Sequence, residues 1–512
     1  MNRNLFPWGS FFGGAFSHEM VAWPLLVGIL YSVYLQWKGE SVFVYNKWII
    51  AFICGAFLIE LISIVHGSYI FPYWDLIDNS FIPEKSRVRA IILLLQEHGW
   101  FQDEEVNLHL FLGYTFIKDS LLNVLVPYGG MYMIYCWYQD DYKRAISVME
   151  KAVMVSTLLL FGYCVIELFA LWGEPFSQDV LFKLDMLLHY PEADEVDYVE
   201  RWLKNWTLYA KQLRGYFTEP SFLGMYANVM ASFLWYRILK DSSKWAIVCN
   251  LILGVIVVLT SSRAAVGIYC SMLILLIVVM LYKRDRRLFL KGSVIVVSSV
   301  LAFSFGLFSI KNIIVDSNKK VVDSNKYATY IKADAEGYFE SNVGSITNVK
   351  ARSNPARYTY AYCALKTGME YPILGVGHKF YSAYAPNYIP EWGKSNSEVK
   401  RYLKKTREKG ILAESFPVLN EYLHIFATKG IIGLVWDMLA FLFISWMTLK
   451  ILKKSIEEKI PECVLFLELL LGIALWGMNI ALGLFYSSWV VFAIVVLAIE
   501  KEIKRKIEIN AY

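Results

Sequence analysis

Four short segments of the chain combine polar residues that could bind and transfer charged groups. They are RGYFTEPSFLG (214–224), LTSSRAAVGIY (259–269), YPILGVGHKFY (371–381) and LNEYLHIFATKGIIGL (419–434), and all but the third adjoin a long apolar run. An arginine side chain binds phosphate oxygens through two parallel hydrogen bonds, and a carboxylate or imidazole can accept a proton from an attacking hydroxyl. The residue types therefore indicate transfer of a group from a pyrophosphate donor to a hydroxyl.

The candidates fall into two groups according to this chemistry. Three arginines are predicted to bind the pyrophosphate: Arg214, Arg263 and Arg357. Four other side chains are predicted to take part in catalysis: Glu219, His378, Asn420 and His424.

Each candidate also has a purely structural explanation. Pro220 and Glu219 are residue types that start a helix, and Arg263 could extend to lipid headgroups. Asn420 could cap a helix, and a single histidine in a loop, such as His378, is more often an ordinary surface residue. Asn420 and His424 are four residues apart, so a helix would place them on one face.

Several familiar sites are missing from the sequence. It contains no GxxxxGK[ST] motif, and the GVG at 375–377 lacks the third glycine of a dinucleotide site. There is no HExxH, no G-x-S-x-G and no Cys-x-x-Cys. These absences predict no metal and no cofactor, and the lack of a basic domain predicts no nucleic-acid partner.

The elements that must position these residues are membrane helices. The chain has 512 residues, of which 57% are hydrophobic and only 19% charged, and its mean hydropathy is +0.42. Soluble proteins have about a quarter charged residues. Apolar blocks of about 20 residues, the length that crosses a bilayer, recur along the chain. The composition predicts an all-α polytopic membrane protein with about 11–12 transmembrane helices.

The predicted spans lie near 20–37, 48–66, 116–138, 146–172, 217–237, 245–261, 265–282, 288–308, 430–450, 463–482 and 485–499. Short basic connections alternate with longer segments and set the orientation.

The predicted organisation has three parts. The N-terminal bundle is 1–308, with outer segments 67–115 and 173–214; the large outer loop is 309–428; and 429–512 contains the last helices and a cytoplasmic tail. The second and fourth spans each contain one acidic residue, Glu60 and Glu167, for which the sequence indicates no partner.

From about residue 210 to residue 490 the chain resembles the O-antigen polymerase and O-antigen ligase superfamily of bacterial membrane glycosyltransferases. The resemblance rests on the order of the four segments quoted above. It implies a GT-C-like helical fold and an undecaprenyl-pyrophosphate-linked glycan as donor. It also implies catalysis without a metal at the periplasmic face of the inner membrane, and a protein that regulates chain length as a possible partner.

Matched to the family, Arg214 and Glu219 lie in its Arg…Glu-Pro segment and Arg263 in its Ser-Arg hairpin. Arg357 and the glycine turn match the second basic motif of the loop. The family usually has His-Asn where this chain has Leu419-Asn420, so His424 is a candidate to replace the missing histidine.

The resemblance favours a polymerase that joins polyprenyl-linked repeat units. A ligase that transfers finished glycan to lipid A–core is the first alternative. A flippase for polyprenyl-linked glycans, which would perform no chemistry, is the second.

Overall fold

The computed structural model describes residues 22–77, 87–189, 212–217, 219–318, 354–409, 412, 416–417, 419–454, 457–479 and 486–510. The ordered elements in these ranges are helices, and no strand occurs within them. The fifteen longer helices in these ranges are α1 (Ala22–Trp37), α2 (Lys47–Ile70), α3 (Arg87–Glu97), α4 (Glu104–Tyr138), α5 (Tyr142–Leu171), α6 (Pro175–His189), α7 (Pro220–Asp241), α8 (Lys244–Leu259), α9 (Arg263–Lys283), α10 (Arg286–Asn318), α11 (Asn354–Glu370), α12 (Ser397–Lys409), α13 (Glu421–Lys454), α14 (Ile460–Gly477) and α15 (Tyr486–Asn510). Short helical turns cover Trp74–Leu76, Tyr381–Tyr384, Ala385–Tyr388, Glu391–Lys394 and Glu457–Lys459.

Apolar length identifies the helices that can cross a membrane. Among the described residues, six helices are long and apolar enough: α2, α5, α9, residues 286–310 of α10, α13 and α14. Shorter apolar helices occupy Leu25–Trp37 and Lys244–Leu259. The predicted all-α polytopic class is confirmed. Each of the eleven predicted spans overlaps one helix, although the count of 11–12 crossings stays a prediction.

Several predicted boundaries differ from the structure, and two of the differences concern the ends of the large outer loop. Helix α10 continues to Asn318, beyond the predicted end of its span at 308. Helix α13 begins at Glu421, so the end of the predicted outer loop is already helical. A bend at Gly430 (φ 64°, ψ −164°) separates residues 421–429 from the long span that follows. Hydropathy detects only the span, because the short first segment contains polar residues.

Helix α7 forms the centre of the bundle and is buried along most of its length. It packs against α8, α9 and α14. A polar network ties its neighbours together around Asn250 of α8. The Asn250 Oδ1 accepts from Trp235 Nε1 (2.7 Å) and Tyr269 Oη (2.9 Å), while Nδ2 donates to Ser298 Oγ (2.9 Å) and Ser299 Oγ (3.2 Å). These five buried side chains join four helices.

We expect Asn250→Leu to lower the free energy of unfolding by about 1–3 kcal/mol, because its buried partners would lose their hydrogen bonds. Thermal unfolding in detergent measures the change. Ser271→Ala is the matched control, since the exposed Ser271 hydroxyl bonds only to the Gly267 carbonyl of its own helix (2.8 Å). Equal effects of the two substitutions would contradict the prediction.

The described part of the predicted large outer loop, from residue 354 onward, packs as a folded layer against the bundle. Its aromatic side chains Tyr360, Phe380 and Tyr381 are fully buried. The Phe380 ring lies 4.8 Å from Phe71 at the end of α2 and 4.9 Å from Phe116 of α4, measured between centroids. This aromatic core fixes α11 and the turns after it against the membrane helices.

Candidate active site

The turn between α8 and α9 places Arg263 at the first position of α9. Ser261 adopts a left-handed conformation (φ 50°), and the side chain of Ser262 caps α9 by accepting from Ala265 N (3.4 Å). The Arg263 Nη2 donates to Asn354 Oδ1 (2.9 Å), the residue that starts α11. Arg263 therefore joins a membrane helix to the outer layer.

Arg357 and Glu219 lie near this contact between Arg263 and Asn354. Arg357 is in the first turn of α11, three residues after Asn354. Glu219 is the N-cap residue of α7, yet its carboxylate caps no backbone amide and instead accepts from Ser221 Oγ (3.2 Å). The charge of Arg357 acts on this carboxylate. We call Arg263, Arg357 and Glu219 the arginine cluster.

Helix ends add to the positive potential of this cluster. The N-terminal ends of α7, α9 and α11 carry its three residues, and a helix N-terminus attracts anions through its free amides. Helices α7 and α9 approach so closely here that a Cβ atom on Gly224 would collide with the Ala265 side chain. Two guanidinium groups and three helix ends can therefore hold a pyrophosphate.

Helix α12 contributes charges that the sequence analysis did not single out. Glu398 interacts electrostatically with Glu219, Arg357 and Arg401. Burial raises the pKa of Glu398, while Arg401 and Arg357 oppose the shift. The charged run 397–409 resembles any exposed helix face, so only the folded structure shows that its first turn reaches the cluster.

Arg214 lies in a separate, enclosed network. Its side chain is 1% exposed and forms an ion pair with Asp185 of α6. The Arg214 Nη1 also donates to the Phe217 carbonyl (3.1 Å), and Asp185 accepts from Tyr163 Oη (2.6 Å). Burial lowers the pKa of the Arg214 guanidinium and Asp185 raises it, with a net upward shift. The predicted pyrophosphate contact of Arg214 stays a prediction, and the geometry favours a role in holding the segment before α7.

The two acidic residues inside predicted spans have partners. Glu167 of α5 accepts from the backbone amide of Gly215 (2.8 Å), beside Arg214. Glu60 of α2 is 2% exposed and contacts His378 Nδ1 (2.6 Å) and Lys429 Nζ (2.8 Å). We call Glu60, His378 and Lys429 the Glu60 cluster. Lys429 was not predicted as a site residue. Its only signal in the sequence is its place next to Gly430 in the segment 419–434.

Asn420 and His424 belong to the first segment of α13. The Asn420 Oδ1 accepts from Leu423 N (3.0 Å), so Asn420 caps the helix, as its structural explanation requires. The His424 ring is perpendicular to the Tyr381 ring with centroids 5.3 Å apart. The charges of His378, Lys429 and Glu60 all act on His424. His424 therefore lies beside the Glu60 cluster, whereas Asn420 supports the helix.

The described residues contain no group of three or more His, Cys, Asp and Glu side chains arranged to hold a metal ion.

The seven predicted site residues divide between the arginine cluster, the surroundings of the Glu60 cluster, and the enclosed network of Arg214.

Comparison with protein families identifies the central part of the chain. Residues 248–436 match the family model described as O-antigen ligase. This segment is an O-antigen ligase-like domain. The match confirms the resemblance to the O-antigen polymerase and ligase superfamily and indicates a polymerase-type or ligase-type function. No curated protein matches the chain.

The O-antigen ligase-like domain begins in α8 and ends in the span of α13. It contains most of the candidate residues: Arg263, Arg357, His378, Asn420, His424 and Lys429. Glu60, Arg214 and Glu219 precede it, so both clusters are completed by residues from outside the domain. Members of this family are glycosyltransferase-like enzymes. The several apolar helices among the described residues indicate a multi-pass membrane protein.

Proposed function

We propose that the protein is a polymerase that joins undecaprenyl-pyrophosphate-linked repeat units at the periplasmic face of the bacterial inner membrane. The observation that carries the proposal is the position of Arg263 and Arg357, the two arginines of the arginine cluster, inside an O-antigen ligase-like domain. A site built from arginine forks and helix N-termini suits a pyrophosphate leaving group, which gains a negative charge as its bond to carbon breaks, and needs no metal.

In the proposed reaction the acceptor hydroxyl attacks the anomeric carbon of the donor sugar. A new glycosidic C–O bond forms, and the bond between that carbon and the pyrophosphate oxygen breaks. Arg263 and Arg357 stabilise the negative charge on the departing undecaprenyl pyrophosphate. Glu219, His378 or His424 accepts the hydroxyl proton, while Asn420 holds the helix that carries His424.

The choice of polymerase over ligase rests on Leu419, which occupies the position where the family usually has histidine. The family description favours a ligase as the second candidate, since the matched model is that of O-antigen ligase. In a ligase the same cluster would bind the same donor, and the acceptor would be lipid A–core.

Analysis of products by gel electrophoresis tests the proposal. Purified protein receives its polyprenyl-pyrophosphate repeat unit, first without and then with lipid A–core. A ladder of repeat multiples in the first lane supports the polymerase. Transfer only after addition of lipid A–core supports the ligase, and the absence of product in both lanes favours transport of the glycan.

A further inference from the structure

The Glu60 cluster has an unusual balance of charges. The carboxylate of Glu60 is enclosed between α2, the turn at 375–378 and α13, and both of its oxygens face nitrogen atoms. The ammonium group of Lys429 supplies the single positive charge that the Glu60 carboxylate requires. The buried carboxylate is therefore compensated by Lys429 without a second charged partner.

The position of the imidazole ring decides which of its nitrogens carries the proton. Nδ1 of His378 lies 2.6 Å from Glu60 Oε1, so a proton on Nδ1 would face the carboxylate and leave the lone pair on Nε2. Within the described residues both ring nitrogens are buried, and neither forms a hydrogen bond of good geometry. A buried polar atom without a partner is costly, and such atoms often have a catalytic role.

The backbone holds this histidine firmly. Val376 N donates to the Ala427 carbonyl (3.0 Å), and Gly377 N donates to the Thr428 carbonyl (2.8 Å). His66 Nδ1 lies 2.8 Å from the Gly375 carbonyl. Gly375 and Gly377 both have positive φ, and a Cβ on Gly375 would collide with the Thr428 backbone. The turn is thus fixed to α2 and α13 before any substrate binds, as a catalytic group requires.

Helix α11 connects the two clusters. Arg357 is in its first turn, and Gly368, near its end, packs against Phe426 beside the segment that holds the turn. The rise from residue 357 to residue 368 is about 16 Å along a helix. Helix α11 therefore has the arginine cluster at its first turn and the segment beside the Glu60 cluster near its end. The His378 side chain is 15% exposed, although both of its ring nitrogens are buried.

We propose that His378 is the proton acceptor of the transfer reaction and that Glu60 and Lys429 are its positioning residues. The inference rests on the proposed function and selects one base among its candidates. The acceptor O–H proton moves to Nε2 while the oxygen bonds to the anomeric carbon and undecaprenyl pyrophosphate departs. Glu60 holds the Nδ1 proton, and Lys429 compensates the charge of Glu60.

Two double variants test the positioning role with matched charge and packing. Both Glu60→Gln with Lys429→Met and Glu60→Leu with Lys429→Met remove the buried ion pair. Only glutamine keeps an oxygen that can accept from Nδ1. We expect kcat of the leucine variant to be roughly tenfold to a hundredfold below that of the glutamine variant, with KM little changed, since base catalysis contributes about 10²-fold or more. Polymer formation from the repeat unit measures both constants.

His378→Ala provides a second test that does not depend on the ion pair. We expect its kcat to fall by about 10²-fold while the melting temperature stays near that of the wild type. Equal kcat values for the two double variants, or a His378→Ala protein within about twofold of the wild type, would overturn the inference, because general base catalysis contributes far more than that. If wild-type protein produces neither a ladder nor transfer to lipid A–core, the proposed function fails first, and the inference fails with it.

Discussion

Arg263→Ala is expected to lower kcat/KM for polymer formation by about 10²–10³-fold, the usual effect of removing one donor to a developing negative charge. Arg263 also bonds to Asn354, so the substitution removes a tie between α9 and α11 at the same time. Arg263→Lys should recover only part of the activity, because an ammonium group cannot bind Asn354 and a phosphate oxygen in the fixed fork of a guanidinium. The chain length and yield of polymer on a gel report the loss.

The control for this experiment is Arg144→Ala, which removes an exposed arginine from the first turn of α5. It changes the net charge by the same amount and touches neither cluster. A well-expressed Arg263→Ala protein that makes polymer of normal length and yield would exclude Arg263 from the site.

Arg214→Ala is expected to destabilise the protein by about 3–5 kcal/mol, because it leaves the carboxylate of Asp185 buried without its cation. The double substitution Arg214→Met with Asp185→Leu removes both charges and should recover most of that loss. Unfolding by heat or denaturant in detergent measures the free energy of each variant.

The neighbouring ion pair between Lys183 and Asp179 serves as the comparison. Its side chains are 73% and 54% exposed at a distance of 2.6 Å. Lys183→Ala should therefore change stability by about 0–1 kcal/mol. An Arg214→Ala protein that melts like the wild type but forms no polymer would contradict the structural role and support direct contact with the pyrophosphate.

Hydropathy is sufficient to predict the membrane helices, because each span buries its own backbone hydrogen bonds and needs only length and apolar side chains. The start of α11 near Arg357 and its end before Pro372 also follow from local residues, and the structure places the helix at Asn354–Glu370. The bend in α13 is different. Gly430 shows that a bend is possible, but the contact of Ile431 N with the Pro372 carbonyl (2.8 Å), which fixes the direction of the bend, involves a distant segment.

The candidate site shows the same division. The residue types of Arg263, Arg357 and Glu219 and their positions at helix starts already indicate an anion site, since each depends on its own helix end. The partners of Glu60 and Arg214 are far away in the sequence, and several acidic residues could pair with each cation. Only packing of the helices selects Lys429 for Glu60 and Asp185 for Arg214.

The Glu60 cluster also bears on how the protein is synthesised. Glu60 enters the bilayer with α2, early in translation, whereas His378 and Lys429 emerge from the ribosome much later. An acidic side chain within a membrane helix is unfavourable until a partner arrives. The nascent chain therefore contains an incompletely satisfied helix through most of its insertion, and the arrival of α13 both compensates that charge and closes the outer face. A polypeptide released before residue 429 would keep the Glu60 carboxylate without the Lys429 cation.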